Sequence, residues 1–423
     1  MKVLWLVNVK LPIVYKAQGE VNKTYVGGWL DQISEKFIKE NNLVVIYPSP
    51  NVAGEKGKND HLSYYGIYFN PIKMNAGNLN GDEYISKMEK ILLDERPDVI
   101  HVHGTEFQHS FFLTEAAKNV GMDNRVVVSI QGMVAPYAEH YLFQIPLLVK
   151  YGKTVKGFIK RESVYSGYKA YIRRGESESK TLQNVHYVIG RTNWDKGCVN
   201  LVNPKANYLF CNETLRKNFY DEEWEVDNCV RHSIFVSQAS YPIKGFHLLL
   251  NAANIVKQRF PDLIINVAGA DLSKDNFIKG STYALYIQKL LKKYGLTKNV
   301  RFLGPQNAEA MKAQMLSTNV FVSPSTIENS PNSLGEAMIL GLPCISSDVG
   351  GVSDLMIHNK EGYVYPLDES YMLAYYVMDL FANDKKATEF GKSARLHARK
   401  THDVDVNFKT LVNIYKQIVE ESK

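Results

Sequence analysis

Short apolar runs alternate with longer amphipathic stretches along the whole chain. VLWLVNV, LVVIYP, DVIHVHG, RVVVSIQG and VHYVIGRT come first, and SIFVSQ, LIINVAG, VRFLG, VFVSPS and PCISS repeat the pattern later. Each is rich in Val, Ile, Leu or Phe and ends at Gly, Pro or a polar turn, which suits a strand covered on both faces. Helical stretches separate them, so the chain reads as α/β with two doubly wound sheets. Strand patterning gives way to polar and charged residues in YLFCNETLRKNFYDEEW, which places a seam at about residue 216. The expected division is a first domain over 1–215 and a second over 216–398. Val404, Phe408, Leu411, Val412, Tyr415, Ile418 and Val419 recur at helical spacing and predict a helix in the terminal stretch 399–423. With 423 residues, two domains of about 200 each are the natural packing.

The stretch STIENSPNSLGEAMILGLPCISSDVGG, Ser325 to Gly351, is the densest in chemistry. Pro331 sits where a helix would begin, with Ser330 or Asn332 able to cap it, and Gly341 followed by Pro343 ends it. A strand, loop and helix in this order aim the N–H groups of the first helical turn at the carboxyl edge of a parallel sheet, where a diphosphate can lie. Glu328 in the loop and Glu336 within the helix flank that position, and carboxylates suit sugar and ribose hydroxyls. The plainer reading is that Ser333 and Glu336 form a capping box and that Glu328 is an ordinary loop acid.

The pair Glu328 and Glu336 in its context resembles the E-x7-E signature of the retaining GT-B glycosyltransferases of family 4. The resemblance implies two Rossmann-like domains facing across a cleft, the first on the acceptor side and the second binding the nucleotide sugar, with the C-terminal helix crossing back to the first. It also implies that Glu328 contacts hydroxyls of the donor sugar, Glu336 contacts the ribose, and backbone amides of Asn332, Ser333 and Leu334 hold the diphosphate. SIFVSQASYPIKGFHLLLNAANIVKQRFPDLIINVAG is similar to the family's basic segment, with Lys244 at the K-G. In relatives an arginine and this lysine neutralise the departing diphosphate, which stabilises a leaving group; here Gln238 stands in the arginine's place. Without the family context Lys244 reads as a solvated loop lysine. In VGGWL, Val26 to Leu30, the family's glycine pair near the reactive centre falls on Gly27 and Gly28. In DVIHVHGTEF, His103 matches the active-site histidine, while His101 is expected on the opposite side of the strand, buried under a helix. The implied catalytic set is His103, Lys244 and Glu328. Gln131 in SIQG stands where many relatives carry a histidine, and Arg191, Trp194 and Asp195 in GRTNWD either belong to the acceptor side or fix a strand-to-helix turn.

Composition narrows the classes. Hydrophobic content of 45% and charged content of 22% are those of a folded globular chain. Cys198, Cys211, Cys229 and Cys344 make no C-x-x-C pair, H-x-H on a strand is a poor zinc site, and no metal or other cofactor is expected. The apolar run in MKVLWLVNVK ends at Lys10 without a small-residue cleavage site, so it reads as a first strand rather than a secretory leader, and no run is long enough to span a bilayer. A cytoplasmic location follows. Between Tyr141 and Lys180 nine Lys and Arg stand against three acids, an excess equal to the whole net charge of +6, with seven aromatics interleaved. That mixture suits contact with an anionic membrane, at the inner face of the cytoplasmic membrane, or with a lipid diphosphate acceptor, or else a solvated helical face; nothing resembles a nucleic-acid module. The resemblance thus implies a metal-independent transfer of a sugar from a nucleotide diphosphate sugar to a glycan or lipid-linked hydroxyl, as in capsule or lipopolysaccharide assembly. Two other classes stay open: a UDP-sugar 2-epimerase-like isomerase, and a catalytically silent sugar-nucleotide-binding protein.

Overall fold

The computed structural model of the protein describes residues 1–20 and 27–423, so Val26 of the VGGWL run lies outside the described residues. The chain divides into two compact units: Met1–Ala138, Lys169–Arg216 and His402–Lys423 form the first, and Glu139–Tyr168 with Lys217–Thr401 the second. The segment Glu139–Tyr168, expected in the first domain by its place in the sequence, groups with the second.

In the first unit, β1 (Lys2–Val7), β2 (Asn42–Ser49), β3 (Glu55–Asn59), β4 (Leu62–Tyr68), β5 (Val99–His103), β6 (Val126–Ser129), β7 (Tyr187–Gly190) and β8 (Asn207–Phe210) form one sheet in the order β3-β4-β2-β1-β5-β6-β7-β8. Only β3 runs antiparallel, paired to β4 at the sheet's edge. Three of these strands escape the apolar-run reading. β3 is EKGKN, polar throughout, as an edge strand open to water can be. β4 carries its serine, tyrosines and glycine among apolar residues, and β8 lies inside the polar stretch taken as seam. The loop after β1 contains the short helix Pro12–Ala17 with Ile13 and Val14 buried.

The central strands are buried on both faces, so apolar residues run along consecutive positions rather than alternate ones, interrupted in β5 and β6 by the buried His101, His103 and Ser129. One face is closed by the last helix, Val404–Glu421, capped by the Asp403 carboxylate accepting from Val406 N at 2.8 Å. Its Leu411, Ile414, Tyr415 and Ile418 pack with Val3, Trp5 and Val7 of β1. Trp5 Nε1 donates to Tyr415 Oη at 2.9 Å, that hydroxyl meets His101 Nδ1 at 2.6 Å, and His101 Nε2 meets Ser129 Oγ at 2.6 Å. A neutral His101 donates from one ring nitrogen and accepts at the other, so Tyr415 and Ser129, whose hydroxyls can do either, satisfy both.

In the second unit, β9 (Val230–Val236), β10 (Ile264–Ala268), β11 (Val300–Gly304), β12 (Thr318–Ser323), β13 (Cys344–Ser347) and β14 (Tyr363–Tyr365) form a wholly parallel sheet in the order β11-β10-β9-β12-β13-β14. This is the doubly wound 3-2-1-4-5-6 order, whose direction of winding reverses between β9 and β12. The corresponding reversal in the first sheet falls between β1 and β5. Ligands of open α/β sheets lie outside the carboxyl ends of the strands at such a reversal, so the loops after β9 and β12, and after β1 and β5, are where site residues belong.

Candidate active site

The loop after β9 is shaped by Gly245. It takes φ +62°, and a Cβ there would stand 1.7 Å from the Pro324 carbonyl oxygen, so only glycine lets this loop meet the one after β12. Gly245 follows the single turn Pro242–Lys244 and opens the helix Phe246–Arg259. On the β12 side, Thr326 N donates to Ile243 O at 2.7 Å, which locks the two loops together. Gly350 does the same from β13: a Cβ would stand 1.9 Å from the Glu328 carbonyl, and Gly351 N donates to that carbonyl at 3.1 Å.

The frame brings Lys244 and Glu328 into contact, with Nζ 2.5 Å from Oε1, and Ser325 Oγ donates to the same oxygen at 2.8 Å. Lys244 is thus neither solvated nor an ordinary loop lysine; its side chain is 22% exposed and that of Glu328 11%. The helix after this loop runs Asn332–Leu340 and ends at Gly341 in the left-handed conformation. Its N-cap is Pro331, which offers no side-chain cap, so neither Ser330 nor Asn332 takes the capping place expected of it. Asn332 and Ser333 occupy the first two helical positions, half-buried, whereas Leu334 is fully buried and its N–H donates to Pro331 O at 3.0 Å. Glu336 is buried two residues further on. The structure therefore brings Lys244, Glu328 and the N-terminal turn of the Asn332–Leu340 helix to one edge of the second sheet, at its reversal point.

Gln238 does different work from a cation. Its Oε1 accepts from Ala239 N at 3.0 Å, Ser240 N at 3.2 Å and Ser240 Oγ at 2.6 Å, so the carboxamide holds its own turn after β9.

In the first unit, Gly27 adopts φ +82° and leads into the turn Gly28–Leu30 and the helix Asp31–Phe37. His103 ends β5, but the residue is only 4% exposed. It packs edge-on to Trp5 with centroids 4.9 Å apart and lies 3.7 Å from the ring of His101. The two histidines thus share a face, contrary to the expected division, because residues two apart on a strand point the same way. Burial pushes His103 down to about 3, so its imidazole is neutral. It borders a cavity of about 40 Å³ shared with Trp29, Ser129, Arg191 and Glu213.

Several polar residues at this edge were not singled out by sequence. Asn8 Nδ2 donates to Glu106 Oε2 at 2.8 Å, and Asn8 Oδ1 meets His109 Nε2 at 2.8 Å. Glu178 accepts from Thr105 Oγ1 at 2.7 Å and from Val134 N and Ala135 N at 3.0 Å each, and burial pushes it up to about 7. Arg191 pairs with Glu213 at 2.5 Å, and Gln131 Nε2 donates to the same carboxylate. Asp195 settles its own alternative: with Thr192 it forms a capping box and also accepts from Arg191 N, so it fixes the strand-to-helix turn. HGTEF could have pointed to Glu106. Nothing in a run of charged residues marks Glu178 as the buried one.

The basic stretch 141–180 is split between the units. Arg173 Nε donates to Ala76 O at 2.7 Å, and the Arg174 guanidinium lies 4.4 Å from the Tyr171 ring centre and 5.1 Å from that of Phe107. Those two arginines are engaged in the first unit, not displayed as part of one continuous patch. Among the described residues, no group of three or more His, Cys, Asp or Glu side chains is placed to hold a metal ion, and no helix is long and apolar enough to cross a membrane.

Residues 218–397 match the family model of glycosyl transferases group 1. D-inositol 3-phosphate glycosyltransferase of Corynebacterium urealyticum is 24% identical over 182 residues, 42% of this chain and 41% of that protein. Poly(ribitol-phosphate) α-N-acetylglucosaminyltransferase of Staphylococcus aureus is 28% identical over 202 residues, 46% of this chain and 40% of that one. The chain thus spans less than half the length of these two curated relatives. Sucrose-phosphate synthase from Thermosynechococcus elongatus shares the fold with a TM-score of 0.71 at 13% identity, covering 100% of both chains. HepE of Anabaena, solved in complex with UDP and glucose, does so with a TM-score of 0.68 at 15% identity, covering 98% of this chain and 99% of that one.

Proposed function

We propose, for a chain that belongs over residues 218–397 to the glycosyl transferases group 1 family and has the GT-B fold, that it moves a sugar from a nucleotide diphosphate sugar to a hydroxyl of a glycan or lipid-linked acceptor. The observation that carries this reading is the junction of Lys244, Glu328 and the Asn332–Leu340 helix at the reversal point of the second sheet. A diphosphate at that edge meets the positive end of the helix and an ammonium, and both act more strongly as charge develops on the leaving group. Lys244 must then share its charge between Glu328 and the phosphate, and Glu328 turns its other acceptor sites to sugar hydroxyls. Asn332 and Ser333 offer the first-turn positions, and Glu336 is assigned to the ribose. The diphosphate itself takes the acceptor proton, with retention at the anomeric carbon and without a metal.

In this reading Gly27 and Gly28 keep the backbone after β1 open to a ligand. His103 contributes as a neutral ring at the end of β5, since burial denies it a positive charge. The relative named for poly(ribitol phosphate), a polymer, supports a role in surface polysaccharide assembly on the cytoplasmic side of the membrane.

The test is calorimetric titration of a panel of nucleotide sugars and nucleoside diphosphates into the wild type, Lys244→Ala and Glu336→Ala. Tight binding of one donor, weakened on the order of a hundredfold by Lys244→Ala, is the expected result. Failure of every donor to bind the folded protein would refute the assignment. Interconversion of the donor without acceptor would point to an isomerase, and binding without turnover under any acceptor to a silent protein.

A further inference from the structure

Residues 147–161 read LLVKYGKTVKGFIKR, with four lysines, one arginine and no acid. They form two short helices, Leu147–Tyr151 and Val155–Lys160, joined at Gly152, Lys153 and Thr154. Their large apolar side chains point outward: Leu147, Leu148, Tyr151, Val155, Phe158 and Ile159 are exposed, from 41% for Val155 to 88% for Leu148. Val155, Phe158 and Ile159 sit three and four apart and so share a helix face. Phe277 and Ile278, from the loop after β10, are exposed in the same way.

This display is held in place by the fold. Val155 N donates to Phe277 O at 3.0 Å and Lys156 N to Ile278 O at 2.9 Å, so the second helix begins on the carbonyls of the neighbouring apolar pair. Thr154 Oγ1 accepts from Gly157 N at 3.1 Å as a cap and donates to Gly280 O at 2.7 Å. Thr282 Oγ1 donates to Val149 O at 3.0 Å. A flexible loop could fold such side chains away from water, but a hydrogen-bonded frame cannot. An exposed apolar patch of this kind marks a surface that meets something.

The charges select what it meets. Lys153, Lys156, Lys160 and Arg161 are exposed, and among the described residues none of them, nor Lys150, forms an ion pair. A purely apolar partner would cover the Leu, Phe and Ile side chains while crowding five like charges at its rim. An anionic lipid surface satisfies both sets, because apolar side chains enter the headgroup boundary while long basic ones extend to the phosphates. We infer that the pair of helices 147–151 and 155–160, together with Phe277 and Ile278, docks the protein on an anionic membrane. Glu162, exposed just beyond the stretch, marks its acidic edge. The surface is narrower than the 141–180 stretch and lies wholly in the second unit. It stands apart from the proposed reaction, since membrane binding needs neither donor nor acceptor.

The test is sedimentation of the full chain with vesicles of phosphatidylglycerol or of phosphatidylcholine, at low and raised salt. Retention by phosphatidylglycerol vesicles that salt reverses is expected, with little by phosphatidylcholine. Lys156→Gln with Lys160→Gln should weaken it about fivefold for each lysine. Phe158→Ser with Ile159→Ser should weaken it at either salt, with circular dichroism and nucleoside diphosphate titration unchanged. No retention by either vesicle, or equal retention by both, overturns the inference. So does a lipid-free dimer, seen by sedimentation equilibrium, that the Phe158→Ser, Ile159→Ser pair disperses, because a second copy would then be the occupant.

Discussion

Removing the Lys244 ammonium should unbalance the second unit even with no ligand present. Its Nζ lies 2.5 Å from Glu328 Oε1 in a site where neither side chain is more than 22% exposed. At an effective dielectric near 20, a unit pair at that separation attracts by about 7 kcal/mol, most of which desolvation of the two charges offsets. Lys244→Ala keeps the cost of the buried carboxylate and loses its counter-charge, so a net destabilisation of about 2–3 kcal/mol is expected. Glu328→Gln removes the charge that needs compensating. In the Lys244→Ala background it should therefore restore stability, where in the wild type it reduces it. A double-mutant cycle over the four proteins should give a coupling of about 2 kcal/mol. The assay is amide hydrogen exchange in β12 and in the Asn332–Leu340 helix, so that the reading belongs to the second unit. Additive single effects, within about 0.4 kcal/mol, would refute the argument, since two groups that do not couple are not an ion pair of consequence.

Two more outcomes follow from the same geometry. Gly245→Ala puts a Cβ 1.7 Å from a backbone oxygen at a residue with φ +62°, and should cost more than about 3 kcal/mol; an unchanged thermal midpoint would mean that the two loops are not in contact. Glu178 is pushed up to about 7 from the ordinary 4.5, so the folded protein keeps this proton over a range in which the unfolded chain has lost it. The stability this contributes is complete below pH 4.5 and is lost as pH rises through 7, a decline of about 3 kcal/mol. Glu178→Gln should flatten that part of the urea-midpoint profile, and a variant with the wild-type slope would refute the shift.

The two sheets could be read from sequence because apolar runs fill most of their central strands, and the loops around Glu328 because Pro331, Gly341 and Gly350 punctuate them. Elements whose stability comes from an edge did not stand out: β3 is polar because it borders water. Membership of Glu139–Tyr168 in the second unit rests on contacts with residues about a hundred positions away, such as His247 Nε2 to Phe143 O at 3.1 Å, which no local pattern encodes. Burial inside a charged run is equally hidden. Glu178 and Arg174 look like solvated charges until the Thr105 hydroxyl and the Phe107 ring are placed beside them. The histidine pair erred for a different reason, since strand periodicity itself puts His101 and His103 on one side.

The Tyr415 hydroxyl, which completes the bonding of Trp5 and His101, has a consequence for the order of assembly. The second unit has all its residues once Thr401 has been made. The first unit's sheet is complete at Phe210, yet one apolar face, lined so far by Ile13, Val14, Ile33 and Phe37, lacks the rest of its cover until the helix ending at Glu421 emerges. At about 5–20 residues per second, that face waits on the order of ten to forty seconds during synthesis. The half of the molecule made first is therefore the half that finishes last, and its uncovered β1 and β5 surface is where a nascent chain of this protein is most open to misassembly.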